Sequence, residues 1–159
     1  MTLNFKIGLS GCGGGLEAIA TRELLDLAEW TESLGVDALW LNEQHFQGGA
    51  NGGRKCYSPL ILASAILART RRLRVGFSVL LMDLDQLVRL AEDLASLDAL
   101  SEGRVNIGIA RGANPDHRRI FGVTHDDRSH ARFEEALNLM RRSWGAEPLT
   151  IDGVTVPIE

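Results

Sequence analysis

Side chains that could carry chemistry stand directly after the hydrophobic runs that the sequence pattern predicts as strands. Glu43 and His45 follow the second such run, Ser78–Val79 ends the third, and Arg111 and Gly112 follow the fourth. A neutral imidazole can accept or donate a proton near pH 7, which suits general base catalysis. Ligands of parallel α/β folds bind at the carboxyl ends of the strands, so this placement marks a candidate site.

Each of these residues also has a structural interpretation. His45 could be a loop histidine that is hydrogen-bonded to Glu43. That carboxylate could fix the imidazole tautomer, or it could equally be a structural group inside the fold. Ser78–Val79 could be an ordinary strand end, and Arg111 could be a solvated arginine paired with Asp116. Residue types alone leave these alternatives open.

Four strand–helix units must position these residues, and no change in composition separates them. Hydrophobic runs predict the strands, and amphipathic periodicity predicts the helices that follow them. The predicted strands cover residues 5–10, 38–42, 73–79 and 105–110, and the predicted helices cover 21–34, 60–70, 86–100 and 129–144. A polar loop is predicted from 111 to 128. In the tail, residues 149–151 and 154–156 around Asp152-Gly153 predict a β-hairpin on a type I′ turn.

The helical periodicity also predicts which side chains face the core. Ser58 and Pro59 are expected to cap and begin the second helix, and Gly35 to end the first. The core-facing side chains are predicted to be Leu24, Leu27, Ala28, Thr31 and Leu34 on the first helix, Leu87, Leu90, Ala91, Leu94, Ala95 and Leu97 on the third, and Phe133, Ala136, Leu137, Met140 and Trp144 on the fourth.

Four consecutive strand–helix units imply right-handed crossovers and a parallel sheet. Two architectures fit this order: half of a (β/α)8 TIM-type barrel, and a doubly wound open sheet. The glycine-rich stretch 11–15 follows the first predicted strand, which invites the second architecture. It is not a G-x-G-x-x-G fingerprint, however, and the helix starts several residues later. A surface loop is therefore the favoured interpretation of this stretch, and nicotinamide dinucleotide binding there is the less favoured one.

Length and composition limit the class of protein. The 159 residues carry a formal net charge of −4, and 45% of them are apolar, which is typical of a globular chain. A complete eight-unit barrel needs about 250 residues, so one domain over 1–159 is predicted. No basic stripe favours nucleic acid, and no apolar run approaches the length of a spanning helix. With two cysteines and no secretory pattern at the N-terminus, a cytoplasmic protein is expected.

Three further groups of residues are interpreted as structural. The spacing of the histidines and aspartates between 117 and 130 matches no metal-ligand motif, so no metal is expected. Cys12 and Cys56 are expected to be two unpaired thiols. The remaining group is a basic cluster at a helix-to-strand turn, expected to be solvated: Arg69, Arg71, Arg72 and Arg74.

Seven runs resemble the bacterial-luciferase-like flavin monooxygenase family in residues, order and spacing. They are LNEQHF at 41–46, YSPL at 57–60, ARTRRLRVG at 68–76, LAEDLASLD at 90–98, LSEGR at 100–104, GIARG at 108–112 and FG at 121–122. The resemblance covers essentially the whole chain, and it implies a (β/α) barrel roughly twice this length, of which this sequence matches the N-terminal half.

The resemblance also implies an activity and a cofactor. In this family, reduced flavin mononucleotide reacts with oxygen, and one oxygen atom is inserted into a small organic substrate. A separate flavin reductase can supply the reduced cofactor. Some members instead use a deazaflavin for hydride transfer, and nothing in this sequence separates the two. The rival hypothesis is a non-catalytic or truncated module that binds flavin or acts through assembly.

The matching positions imply roles for individual residues. By resemblance, His45 lies beside the flavin with Glu43 as its orienter. Ser78–Val79 matches a non-proline cis peptide that lies against the flavin ring. Arg111, followed by Gly112, matches an arginine near the flavin phosphate. Ala110 stands where the catalytic subunit of bacterial luciferase carries a cysteine, which favours the broader oxidoreductase family over luciferase itself.

Half a barrel would have an unpaired strand at each end of its sheet. Open N–H and C=O groups and an uncovered inner face favour association. A homo-oligomer is therefore predicted, in which two copies around a twofold axis complete an eight-stranded arrangement.

Overall fold

The computed structural model describes residues 6–12, 21–45, 58–112, 114–123, 129–151 and 154–156. The chain divides into two compact units. The first unit comprises Met1–Leu81 and Leu97–Ala110, and the second comprises Met82–Ser96 and Arg111–Glu159.

The first unit is built on a four-stranded parallel sheet. Its strands are β1 (Gly8–Cys12), β2 (Ala38–Leu41), β3 (Arg74–Leu81) and β4 (Val105–Ala110), in the spatial order β1-β2-β3-β4. A doubly wound sheet reverses its strand order at a switch point, whereas a barrel adds each strand beside the previous one. The sequential order is therefore that of a partial (β/α) barrel, which is one of the two architectures that fit the strand–helix pattern and the one that the family resemblance implies.

Alternate residues of the central strands separate the two faces of the sheet. Leu39, Leu41, Val75 and Phe77 are buried on one face, and helix α2 (Pro59–Arg69) contacts β3. Trp40 points to the opposite face. A Cβ atom at position 76 would lie 2.4 Å from Cε3 of Trp40, so glycine there leaves space for the indole ring.

Two charged side chains of this unit form hydrogen bonds with backbone groups where helices end and strands begin. Arg104 donates from Nη2 to the carbonyl of Leu67 (2.9 Å), from Nη1 to the carbonyl of Leu73 (3.0 Å) and from Nε to the carbonyl of Ser101 (2.9 Å). A cation beside the last carbonyls of helices is favourable both as a donor and through the helix dipole.

The second of these charged side chains is Glu32, near the end of α1 (Thr21–Ser33). Its Oε1 accepts the backbone N–H groups of Arg72 (2.6 Å), Leu73 (2.7 Å) and Arg71 (2.9 Å). Burial alone would raise the pKa of Glu32, but these three N–H donors outweigh it, and the pKa lies below its ordinary value.

The second unit consists of helices, a 3-10 turn and a hairpin. After a 3-10 turn (Met82–Leu84) come α3 (Leu87–Leu100), whose last residues belong to the first unit, α4 (Pro115–Ile120) and α5 (Ser129–Ser143). The indole Nε1 of Trp144 donates to the carbonyl of Ala91 (3.0 Å), which ties the end of α5 to α3. Strands β5 (Leu149–Ile151) and β6 (Val154–Val156) pair antiparallel as predicted, and the turn between them lies outside the described residues.

Several local predictions are wrong. Residues 115–120 form α4 inside the predicted polar loop, because Asn114 accepts the N–H of Asp116 (2.9 Å) and Pro115 begins the helix. Leu34 lies past the end of α1 and is 59% exposed. Ala95 and Trp144 are exposed rather than buried. Ser58 makes no capping hydrogen bond with its side chain. Gly11 and Cys12 extend β1 instead of beginning a loop.

Candidate functional site

The carboxylate of Glu43 joins two elements at the carboxyl edge of the first unit's sheet. The chain leaves β2 at Leu41, and Oε1 of Glu43 lies 2.7 Å from Nε2 of His45. Its other oxygen, Oε2, accepts the backbone N–H of Leu81 at the end of β3 (2.6 Å). The Glu43 side chain is 5% exposed and that of His45 is 25% exposed. A buried carboxylate with both oxygens bonded is fixed in place, and it orients the imidazole.

The end of β3 departs from regular strand geometry beside this carboxylate. The Ser78–Val79 peptide bond is cis, and the pairing of β3 with β4 shifts register between Phe77 and Leu80. Ser78 is exposed and Val79 is half-buried. Across the shift, a Cβ atom at Gly108 would lie 2.4 Å from the carbonyl oxygen of Phe77, so only glycine fits there.

Parallel pairing brings the ends of β3 and β4 to the same edge of the sheet. Ala110, the last residue of β4, pairs with Leu81, whose N–H is bonded to Glu43. The first unit therefore gathers five predicted site residues at one edge: Glu43, His45, Ser78, Val79 and Ala110.

Arg111 and Gly112 belong to the second unit. Arg111 is half-buried, and Gly112 has a φ of 77°, a left-handed conformation that glycine adopts without strain. The predicted alternative for Arg111, an ion pair with Asp116, is wrong, because the carboxylate of Asp116 instead lies 3.4 Å from the guanidinium of Arg119. The carbonyl of Gly112 accepts a hydrogen bond from Nη2 of Arg118.

The weaker candidates are dispersed or lie outside the described residues. Cys56, His125, Asp126 and Asp127 and most of the glycine-rich stretch 11–15 belong to parts of the chain that the structure does not describe. His117 is buried on α4, whereas His130 is exposed beside Glu134 (3.3 Å). Among the described residues, no three potential ligands are close enough together to hold a metal ion.

The basic cluster is only partly solvated, which corrects the sequence prediction. Arg69 is paired with Glu29 (2.8 Å) and Asp26 (3.0 Å), and these carboxylates raise its pKa above the ordinary value. Arg74 is half-buried on β3 and donates to Oδ1 of Asn106 on β4 (2.9 Å). These two arginines therefore have defined structural partners.

Two features of the site were not predicted from sequence. The Leu81 N–H is a backbone group 38 positions from Glu43, and no pattern of side chains in the sequence predicts such a bond. Arg118 was assigned to a polar loop, although it is buried. The Asn-Pro pair at 114–115 was the available signal for a helix there.

Comparisons with known proteins place this geometry in a family. A model of the family described as "Luciferase-like monooxygenase" matches residues 5–159. The alkanal monooxygenase alpha chain of the Kryptophanaron alfredi symbiont is 35% identical over 112 residues, which cover 70% of this chain and 29% of that protein. The F420-dependent glucose-6-phosphate dehydrogenase of Kineococcus radiotolerans is 30% identical over 146 residues, which cover 90% of this chain and 43% of that protein.

A solved structure shows the same fold. The oxygenating constituent of 3,6-diketocamphane monooxygenase from Pseudomonas putida, a type II Baeyer-Villiger monooxygenase in complex with FMN, superposes with a TM-score of 0.78 at 21% identity. The match covers 98% of this chain and 45% of that one. This chain thus spans less than half the length of each of these three proteins.

No helix among the described residues is long and apolar enough to cross a membrane. The parallel sheet, its irregular carboxyl edge and the match over residues 5–159 lead to one conclusion: the chain belongs to the luciferase-like monooxygenase family.

Proposed function

We propose that this chain is a flavin-binding oxidoreductase that inserts one atom of oxygen into a small organic substrate, with reduced FMN as its cofactor. The observation that carries the proposal is the double hydrogen bond of Glu43, which places His45 beside the irregular end of β3. The alkanal monooxygenase relative and the FMN-bound structural neighbour support the reaction type and the cofactor.

The residues present fit an FMN molecule. Ser78 is exposed at the carboxyl edge of the sheet, where a flat peptide group can lie against an aromatic ring. Arg111 is a half-buried guanidinium without a carboxylate partner among the described residues, and guanidinium groups match phosphate oxygens. On this proposal, Ser78, Val79 and Ala110 of the first unit hold the ring. Arg111 and Gly112 of the second unit are assigned to the phosphate by their match to the family positions alone.

The protein groups then manage protons and orientation. Reduced flavin, when bound, supplies the electrons that activate oxygen. Because a carboxylate oxygen only accepts, Nε2 of His45 donates to Oε1 of Glu43, and this bond holds the ring in one orientation. On this proposal His45 takes up or delivers the proton of the reaction, while Glu43 orients the imidazole. Glu43 itself remains a positioning residue.

Other parts of the proposal concern partners and place. Reduced cofactor would come from a separate flavin reductase, and the second substrate would be oxygen. We expect a homo-oligomer, because β1 and β4 each pair with only one neighbour in the described sheet. A cytoplasmic location stays a prediction from the sequence. No role for nucleic acid or membrane is proposed.

Two alternative functions have specific support. The F420-dependent relative favours hydride transfer with a deazaflavin. The short span relative to the matched proteins favours a flavin-binding module without turnover of its own.

One titration separates these functions. The purified chain is titrated with FMN, with a deazaflavin and with a nicotinamide dinucleotide, and cofactor fluorescence is followed. We expect saturable binding of FMN and none of the dinucleotide. Saturable binding of the deazaflavin alone would favour hydride transfer. Binding of FMN without substrate-dependent oxygen consumption, when reduced FMN is supplied, would favour the non-catalytic module, and binding of none of the three would refute the proposal.

A further inference from the structure

Arg118 is a buried cation that has no counter-charge among the described residues of the second unit. It lies on α4 and is 9% exposed. Its guanidinium makes one side-chain hydrogen bond, from Nη2 to the carbonyl oxygen of Gly112, and its buried Nε has no hydrogen-bond partner. Burial of a charge is costly unless an opposite charge or a full set of hydrogen bonds compensates it. Packing alone therefore does not explain why a charged side chain is buried at position 118.

The neighbouring charges do not neutralise it. On the same short helix, the carboxylate of Asp116 is exposed and lies beside Arg119. Arg111 is half-buried and also has no carboxylate partner among the described residues. The segment around α4 therefore carries two guanidinium groups whose charges are uncompensated within the described part of the second unit.

Gly112 contacts both arginines: it follows Arg111 in the chain, and its carbonyl oxygen accepts a hydrogen bond from Arg118. Gly112 follows Arg111 directly and has a φ of 77°, so it turns the chain sharply. The hydrogen bond from Arg118 fixes the carbonyl at that turn. The guanidinium of Arg118 thus restrains the backbone that carries Arg111, and its charge raises the local positive potential.

We propose that Arg118 is a positioning residue that makes the Arg111–Gly112 turn a receptor for a phosphate monoester dianion. Arg111 contacts the phosphate, and Arg118 holds the turn and strengthens its attraction for a doubly charged group. The inference rests on the proposed function, in which the ligand is FMN, and it adds that Arg118 is needed for that phosphate contact. Its measure is the preference for FMN over riboflavin, which has the same ring system without the phosphate.

The test compares the two flavins on the wild-type chain and on variants. Ring fluorescence is titrated with FMN and with riboflavin at one ionic strength. We expect the wild type to prefer FMN and Arg118→Met to lose about tenfold in FMN affinity, with riboflavin affinity unchanged. Arg118→Lys, which retains a charged donor, should recover part of the preference. The matched control is Arg119→Met on the same helix, which should leave both affinities unchanged.

The outcomes separate this inference from the proposed function. If the wild type binds FMN and riboflavin equally, the inference is wrong, whatever the variants do, while flavin binding stands. The same holds if Arg118→Met and Arg118→Lys keep the wild-type preference. If the wild type binds neither flavin, the proposed function itself fails. Should Arg118→Met not fold, the wild-type preference together with Arg118→Lys decides the matter.

Discussion

The carboxylate of Glu43 accepts the backbone N–H of Leu81 at 2.6 Å and so joins the end of β2 to the end of β3. Regular pairing between these strands stops at Leu41 and Phe77. Beyond that point, the Glu43 side chain takes the place of a strand hydrogen bond. The same carboxylate holds His45. One buried group therefore connects the proposed acid–base residue to the strand that carries the cis peptide.

Glu43→Gln should weaken both hydrogen bonds. A neutral amide is a poorer acceptor than a carboxylate and cannot bond to the Leu81 N–H and to a donating Nε2 of His45 equally well. We expect a loss of about 1–3 kcal/mol in the free energy of unfolding, measured with urea. The exposed Glu135 provides a control, since Glu135→Gln should unfold like the wild type. Equal stability of the two variants would contradict the bridging role.

His45→Ala should remove proton transfer without removing the fold. His45 is only part-buried, so its truncation leaves the core intact, whereas general base or acid catalysis contributes typically about 10²–10⁴ to a rate. We expect the rate of substrate-dependent oxygen consumption with reduced FMN to decrease by a factor of about 10²–10⁴, while FMN binding persists. The exposed His130 gives the control variant His130→Ala. Unchanged turnover in His45→Ala would show that this histidine handles no proton.

The parts of this fold that could be predicted are those with strong local patterns. Hydrophobic runs predict the four strands and helical periodicity predicts the helices that follow them, and an apolar residue such as Phe77 is expected in the core. A six-residue polar helix such as α4 has no apolar stripe, so the Asn114-Pro115 pair at its start was the local signal. The bond between Glu43 and Leu81 depends on strand order and register, which are set by packing of the whole sheet.

Gly76→Ala should disturb the face of the sheet that holds Trp40. The added methyl group would lie 2.4 Å from Cε3 of the indole, so the ring must move. Overpacking of this kind typically costs about 1–3 kcal/mol. The variant should show that loss in urea unfolding, together with a changed near-ultraviolet circular dichroism spectrum. Ser64→Ala, at an exposed position of α2, should change neither measurement.

Glu32 should make stability depend on pH in the acidic range. Its folded-state pKa lies below the ordinary value of 4.5, because backbone N–H groups favour the carboxylate over the acid. Its contribution is therefore complete above pH 4.5 and is lost as the pH falls through the folded-state pKa. Glu32→Gln should be less stable than the wild type at pH 7, and the difference in unfolding free energy should shrink on acidification. A difference that stays constant with pH would assign the effect to shape alone, and Asp93→Asn, at an exposed helix position, is the control.

The edges of the sheet should drive self-association. Ile107 on the edge strand β4 is 40% exposed and Leu9 on the edge strand β1 is 44% exposed, although both side chains are apolar. A charged side chain on an edge strand opposes pairing with another chain. Light scattering of the wild type at micromolar concentration should show an oligomer, and Ile107→Lys should shift it toward the monomer. Ile61, which is 74% exposed on α2, supplies the control Ile61→Lys, which should leave the oligomer intact. A wild-type chain that stays a compact monomer would show that the open edges of this sheet recruit no second copy.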